Sequence, residues 1–463
     1  MSSQHYELII PDSFLRGLAR AWIFAAVSAL LLSGLFVLLI VASRTPGTAD
    51  LFPLKNFFHL AIVVHVDLSV LVWFAAFGAA LWTVTSRPRS RILAWGSFGI
   101  AVGGAVLLAL SPFRPGEAIM TNYVPVLENS MFLVGVCIFA AGIFFSALRS
   151  LLFASPLRVE PTETAVMRFG VQTGVIGLVL SCFFLLWSYL AMPDFLAGAQ
   201  YYEVLFWGGG HVLQFAWVQL MLVVWLRLAG ASGIGLPIGP RFVRLLLFAG
   251  ILPAFLAFWG YFQFDVGSPE HRRFFIWLMA AGGGLAAGPL GLAMLHGWHK
   301  SASANDRRER GLRAALLFSV VLFGVGGVLG FFINESNTII PAHYHGCIVA
   351  ITLAFMALTL HLLPRLGFAQ ADERLMIALP WTYGTGQLLH VAGLAFAGGH
   401  GVQRKTAGAE QGLEGIAQIA GMAVMGLGGL IAIVGGVLFL AAFLRSVLTR
   451  RSTAVAGTLG QAG

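Results

Sequence analysis

Five histidines interrupt apolar stretches or stand at their edges: His65, His211, His271, His343 and His345, out of 12 in the chain. Neutral imidazole is the commonest side-chain ligand of transition metals and a standard axial ligand of haem iron. Metal or haem ligation is therefore the first chemistry to consider. His343 and His345 are two positions apart, so on a helix they point about 200° apart. They cannot easily hold one metal, but they can address two cofactors on either side of one helix. Gly346 follows and leaves the backbone open to a flat ring. The three cysteines, Cys137, Cys182 and Cys347, form no CxxC or CxxCH. A zinc site, a disulfide framework and a covalently attached c-type haem are thus unsupported.

The elements that position these histidines follow from composition. The chain has 463 residues, 58% hydrophobic and 10% charged, with mean hydropathy +0.86. Soluble globular chains carry roughly 25% charged residues, so a soluble enzyme, a disordered scaffold and a nucleic-acid-binding domain are excluded. The net charge of +9 belongs to loops at a membrane surface, and no nucleic-acid partner is expected. A spanning helix needs about 20 mostly apolar residues. Twelve stretches qualify: 19–43, 57–85, 92–113, 124–148, 168–192, 203–227, 242–263, 274–296, 313–333, 338–363, 376–399 and 416–445. The expected fold is all-α, a polytopic bundle of 12 transmembrane helices embedded in a lipid bilayer. It forms one domain over 1–451, followed by a cytoplasmic tail at 452–463. The first span lacks a small-residue cleavage site and is expected to be retained.

Of the 28 Lys and Arg, 21 fall at the termini and in the even-numbered loops and 7 in the odd-numbered ones. The positive-inside rule then places both termini in the cytoplasm. On this topology His65, His211, His271, His343 and His345 converge at one depth in the outer half. Polar side chains inside a membrane face the bundle interior and mark function.

The stretch from Asn337 to Gly346, with Ala342-His343-Tyr344-His345 at its centre, resembles the tenth helix of subunit I of the haem–copper oxidase superfamily. That superfamily includes the cytochrome oxidases and the large subunits of the nitric oxide reductases. The resemblance implies two haems per chain, b-type or related. It gives His343 the high-spin haem and His345 the low-spin haem. The run from His65 to Trp73 resembles the helix that supplies the second low-spin ligand, with His59 ranked behind His65. The loop from Gly401 to Lys405 resembles a segment whose basic pair contacts haem propionates, here Arg404 and Lys405.

The same resemblance implies a copper or non-haem iron opposite the high-spin haem, and here the sequence departs from the pattern. His211, after Gly208, Gly209 and Gly210, matches one ligand. His271 matches the first of an adjacent pair, but Arg272 replaces the second. A guanidinium has no lone pair to give. Glu270 could complete a two-histidine, one-carboxylate set suited to iron; otherwise the second metal site is vestigial. Phe215 stands where many oxidases carry a redox-active tyrosine, and Leu213 where they carry a glutamate. Residues 274–295 contain no Ser, Thr, Tyr, Lys, Asp or Glu, which argues against a cytoplasmic proton path there. The expectation is an oxidoreductase of the cytochrome c oxidase or nitric oxide reductase type, with His343, His211 and His271 at the reacting centre. It would lie in a bacterial inner membrane, reduce O2 or NO without pumping, and receive electrons from a periplasmic donor or cytochrome c-type subunit. The alternative is a non-catalytic di-haem electron-transfer or gas-sensing protein.

Overall fold

The computed structural model describes residues 6–8, 10, 12–48, 55–156, 162–304 and 306–449; the expected tail at 452–463 lies outside them. Apolar runs of this length satisfy their backbone hydrogen bonds internally only as helices. The helices are α1 (Ser13–Arg44), α2 (Lys55–Val66), α3 (Trp73–Thr85), α4 (Arg91–Leu110), α5 (Ser130–Leu152), α6 (Glu163–Leu190) and α7 (Gly198–Ala231). They continue with α8 (Pro240–Gln263), α9 (Pro269–Gly282), α10 (Ala287–Lys300), α11 (Arg307–Gly330), α12 (Ile339–Leu362), α13 (Glu373–Gly399) and α14 (Ile416–Leu448). A short antiparallel hairpin, β1 (Glu117–Ile119) with β2 (Val126–Glu128), joins α4 to α5.

Among the described residues eleven segments are long and apolar enough to cross a membrane. Three of them are composite: in one, a 3-10 turn, Ser111–Phe113, extends α4. A π-helical turn, Asp67–Val72, joins α2 to α3, and a break at residues 283–286 separates α9 from α10. Gly283 and Gly284 sit in that break, where glycine's low helix propensity favours it. The expected span at 376–399 forms α13, which is 27 residues long but is not among the eleven. Gln387 and His390 lower its apolar character, and Pro380 lies inside it without breaking it.

Helix starts are set by side-chain caps. Asp12 accepts from the Leu15 N–H at 3.0 Å and Asn129 from Phe132 at 2.9 Å. Ser268 accepts from the His271 N–H at 3.1 Å, with Pro269 in the first turn. That cap places His271 in the opening turn of α9.

The apolar windows of α7 and α12 are 83% buried, against 28% for α1. The two helices carrying His211, His343 and His345 therefore form the centre of the bundle. Side chains such as Leu35, Leu186 and Leu292 point outward, as a lipid-facing rim requires. The α13–α14 pair meets backbone to backbone. A Cβ on Gly428 would lie 2.3 Å from the His390 nitrogen, and one on Gly393 would lie 2.3 Å from that of Met425.

Loops lock both ends. At the end carrying the chain termini, Arg149 donates to the carbonyls of Arg87 and Arg89, and Arg365 pairs with Glu7 at 3.3 Å. At the opposite end, Asn337 bridges Gln403. The histidines cluster toward that second end.

Candidate functional site

Five of the buried or enclosed imidazoles are oriented in one way. His211 Nδ1 donates to the Trp207 carbonyl at 2.7 Å. His343 Nδ1 donates to Gly326 at 2.7 Å, and His345 Nδ1 to Pro341 at 2.9 Å. His390 Nδ1 donates to Met425 at 2.9 Å. A carbonyl only accepts, so each ring carries its proton on Nδ1 and its lone pair on Nε2. His65 reaches the same tautomer through Ser33. The Ser33 hydroxyl donates to the His65 carbonyl at 3.0 Å and accepts from Nδ1 at 2.8 Å. Among the described residues none of these five Nε2 atoms has a hydrogen-bond partner. The Nε2 of His271, a residue 1% exposed, is also unpartnered.

The six fall into three groups. His65, His345 and His390 converge between α2, α12 and α13. The His345 and His390 ring centroids are 4.9 Å apart, and His65 acts electrostatically on both. His343 leaves the other side of α12 toward α11, where a Cβ on Gly330 would lie 2.9 Å from its ring. His211 and His271 share Phe275, at 5.5 Å and 4.9 Å between centroids. His59 differs from all six: its Nε2 bonds the Lys405 carbonyl at 3.1 Å.

Glu270, the residue expected to complete the second metal site, is exposed. Arg272 is also exposed and lies over the Trp207 ring at 4.8 Å, a cation–π contact. Among the described residues no group of three or more His, Cys, Asp or Glu side chains is placed to hold one metal ion. A shallow surface cleft beside His271 is lined by Glu203, Val204, Trp207, Gly267, His271 and Arg272.

The basic pair is engaged by protein. Arg404 donates to Asn122 at 2.8 Å and to Ser336 at 3.1 Å. Lys405 donates to the Met120 carbonyl at 2.6 Å. Burial, and then repulsion from Arg404, lowers the Lys405 amine to about 8, with Glu203 opposing the shift. The glycines lie against protein, including Gly346, which was expected to face a flat ring. A Cβ on Gly208 would strike the Tyr261 hydroxyl, and one on Gly210 would strike the Tyr123 ring. Gly346 faces the Gly326 backbone. All three make room for protein.

Four residues near the site are not singled out by the sequence pattern. His390 interrupts an apolar run in the same way as the other histidines, so its signal is present. Arg44 is 9% exposed with an unpartnered Nε, and it acts electrostatically on Tyr344, His345 and His390. Tyr123 lies 4.8 Å from the His211 ring, and Tyr261 lies 4.9 Å from His271. The Tyr261 hydroxyl is held by Ser188 at 2.7 Å and donates to the Phe184 carbonyl at 3.1 Å. Phe215 leaves its own position without a hydroxyl, yet other elements bring these two tyrosines to the histidine pair.

Residues 17–438 match the family described as Cytochrome C and Quinol oxidase polypeptide I. The chain belongs to this family. An uncharacterized protein of Rickettsia prowazekii (strain Madrid E) is 27% identical over 91% of this chain and 94% of its own length. An uncharacterized protein of Aquifex aeolicus (strain VF5) is 32% identical over 75% of this chain and 85% of its own. Cytochrome c oxidase subunit 1 of Thermus thermophilus is 23% identical over 78% of this chain and 71% of its own. The fold is similar to that of a chain from a heme-copper terminal oxidase dimer, with TM-score 0.73 and 14% identity. That match covers 95% of this chain and 85% of the other. Membership in the oxidase family and its fold gives the protein a membrane, terminal-oxidase-like role and implies haem.

Proposed function

We propose that this chain is the haem-bearing subunit of a terminal reductase. His65 and His345 would hold a low-spin haem and His343 a high-spin haem; the pair would supply electron transfer and a site for the reduction of O2 or NO. The observation that carries this reading is the set of imidazoles with Nδ1 tied to protein and Nε2 unpartnered. The Nδ1 bonds leave these Nε2 lone pairs without a protein partner, and a metal ion is a partner that such a lone pair suits. The residues therefore fit haem. When bound, haem supplies a one-electron iron couple and, at the His343 site, a coordination position open to a small gas. The protein's part is to fix each tautomer and ring direction through Ser33, Gly326 and Pro341, as outer-shell partners of metal-bound histidines do. His343 and His345 leave one helix on opposite sides, so α12 is the covalent link between the two haems.

His211 and His271 face a second metal in this reading, a non-haem iron or copper. Arg404 and Lys405 stand at the end where propionates would emerge. The electron donor is a periplasmic protein or a cytochrome c-type subunit. The membrane is the bacterial inner membrane, with both termini in the cytoplasm. Turnover pumps no protons, because residues 274–295 carry no Ser, Thr, Tyr, Lys, Asp or Glu and α9 and α10 break apart within them.

The exposure of Glu270 and Arg272 favours a second reading, a di-haem electron-transfer or gas-binding protein without the second metal. Metal analysis and an optical spectrum of the purified, reduced protein test both. Two haems per chain, one binding carbon monoxide, are expected. Absence of haem, or two haems inert to carbon monoxide, contradicts the proposal. Non-haem metal in the same sample separates the reductase from the second reading.

A further inference from the structure

The low-spin site contains one imidazole more than a six-coordinate iron with two axial ligands requires. His390 comes from α13, is 9% exposed and meets the His345 ring at 4.9 Å with the planes inclined at 51°. Its Nδ1 proton is committed to the Met425 carbonyl of α14 at 2.9 Å. Its Nε2 lone pair is therefore as available as that of His345, whose Nδ1 is committed to Pro341 at the same 2.9 Å. Among the described residues neither Nε2 has a partner. α14 packs on both the backbone and the ring of His390. A Cβ on Gly428 would strike the His390 backbone nitrogen, and one on Gly429 would lie 3.2 Å from the ring Nδ1.

The Nδ1 bond to Met425 leaves the His390 Nε2 lone pair without a protein partner among the described residues. Two imidazoles in ring contact, both within electrostatic reach of His65, address one region. We propose that His390 is an alternative axial ligand on the His345 side of the low-spin haem. His65 holds one face of the iron, and either His345 or His390 holds the other. The exchange breaks one iron–Nε2 bond and forms another, with no change in proton or electron count, because both rings keep their Nδ1 protons.

This inference rests on the haem reading above, and its test separates the two. Haem content and low-temperature electron paramagnetic resonance are measured on the full-length membrane protein. The variants are His345→Ala, His390→Ala, the double variant and His65→Ala. His345→Ala is expected to keep a low-spin, bis-imidazole signal with shifted g-values. The double variant is expected to lose it to a high-spin signal, and added imidazole to restore it. His65→Ala loses the signal on its own. If His345→Ala is already high-spin and matches the double variant, His390 does not ligate and the proposal is overturned, while the haem reading stands. Wild-type protein without haem overturns both. If the double variant fails to assemble, His345→Gly with exogenous imidazole still decides. A low-spin signal before imidazole is added supports the proposal, and one that appears only afterwards overturns it.

Discussion

His343 and His345 are anchored by carbonyls on different helices: Gly326 of α11 for the first, Pro341 of α12 itself for the second. Two residues of one turn thus serve different compartments of the bundle. The α11 side is narrowed by Gly330, and the α13 side is filled by His390.

Because His65 is the α2 imidazole that acts on both His345 and His390, His65→Ala should abolish the bis-imidazole signal. His59→Ala should leave it intact, since His59 Nε2 is already bonded to the Lys405 carbonyl. The comparison is read in the reduced optical spectrum and by electron paramagnetic resonance. A loss in His59→Ala with retention in His65→Ala would reverse the assignment.

Carbon monoxide should report on His343 alone. His343→Ala should remove the carbon-monoxide-sensitive haem and leave the other in place, because the two imidazoles leave α12 on opposite sides. Haem content and the carbon monoxide difference spectrum should show one haem lost and all gas binding lost with it.

Non-haem metal should depend on the histidine pair and be indifferent to Glu270. His211→Ala and His271→Ala should each lower metal affinity by about tenfold or more. Glu270→Gln should leave it unchanged, because that carboxylate is exposed. Mass-spectrometric metal analysis that finds metal lost with Glu270→Gln would return the carboxylate to the site.

Lys405 gives the protein a pH dependence of defined sign. Its folded-state pKa is about 8, below the unfolded value of about 10.4. Between those values the unfolded chain binds more protons, so this group's contribution to stability rises with pH. Below pH 8 the cost of burying the charged amine is fully present; above about 10.4 it is absent. Lys405→Met should therefore flatten the increase in Tm across roughly pH 8 to 10.4 relative to wild type. An unchanged slope would mean that the amine titrates as it does in water.

The α13–α14 contact should tolerate no side chain at Gly428. Gly428→Val places carbon 2.3 Å from the His390 backbone nitrogen and should destabilise the protein by about 1–3 kcal/mol. The Tm should fall, and the low-spin spectrum should shift with it, because Met425 and His390 move together. Gly436→Val, where nothing lies within 4 Å, is the control.

The spans are legible in the sequence because length and hydropathy are local properties, and a membrane enforces them segment by segment. The histidines at 65, 211, 343 and 345 are legible for the same reason: a polar ring in an apolar run stands out. His390 carries that signal but lies on a helix for which the family pattern supplies no role. The hydrogen bonds that occupy Arg404 and Lys405 are not legible, because Asn122 and Met120 lie more than 280 residues away in the chain. Tyr123 and Tyr261 are hidden likewise. A ring that reaches its histidine from a hairpin or a neighbouring helix leaves no spacing to read.

The π-helical turn Asp67–Val72 makes this segment sensitive to the length of the chain as well as to its composition. It lies between His65 and the aromatic wall where Phe77 stacks on Phe355 at 4.0 Å. A π turn holds one residue more than the α-helical path between the same two points, and each residue turns a helix by about 100°. Deleting one residue within 67–72 would restore a regular α-helix and keep both surfaces in phase, whereas deleting one between Trp73 and Phe77 would turn the imidazole or the stacked rings by about 100°. A one-residue change of length is therefore absorbed inside the turn and felt at the cofactor pocket or the apolar core outside it.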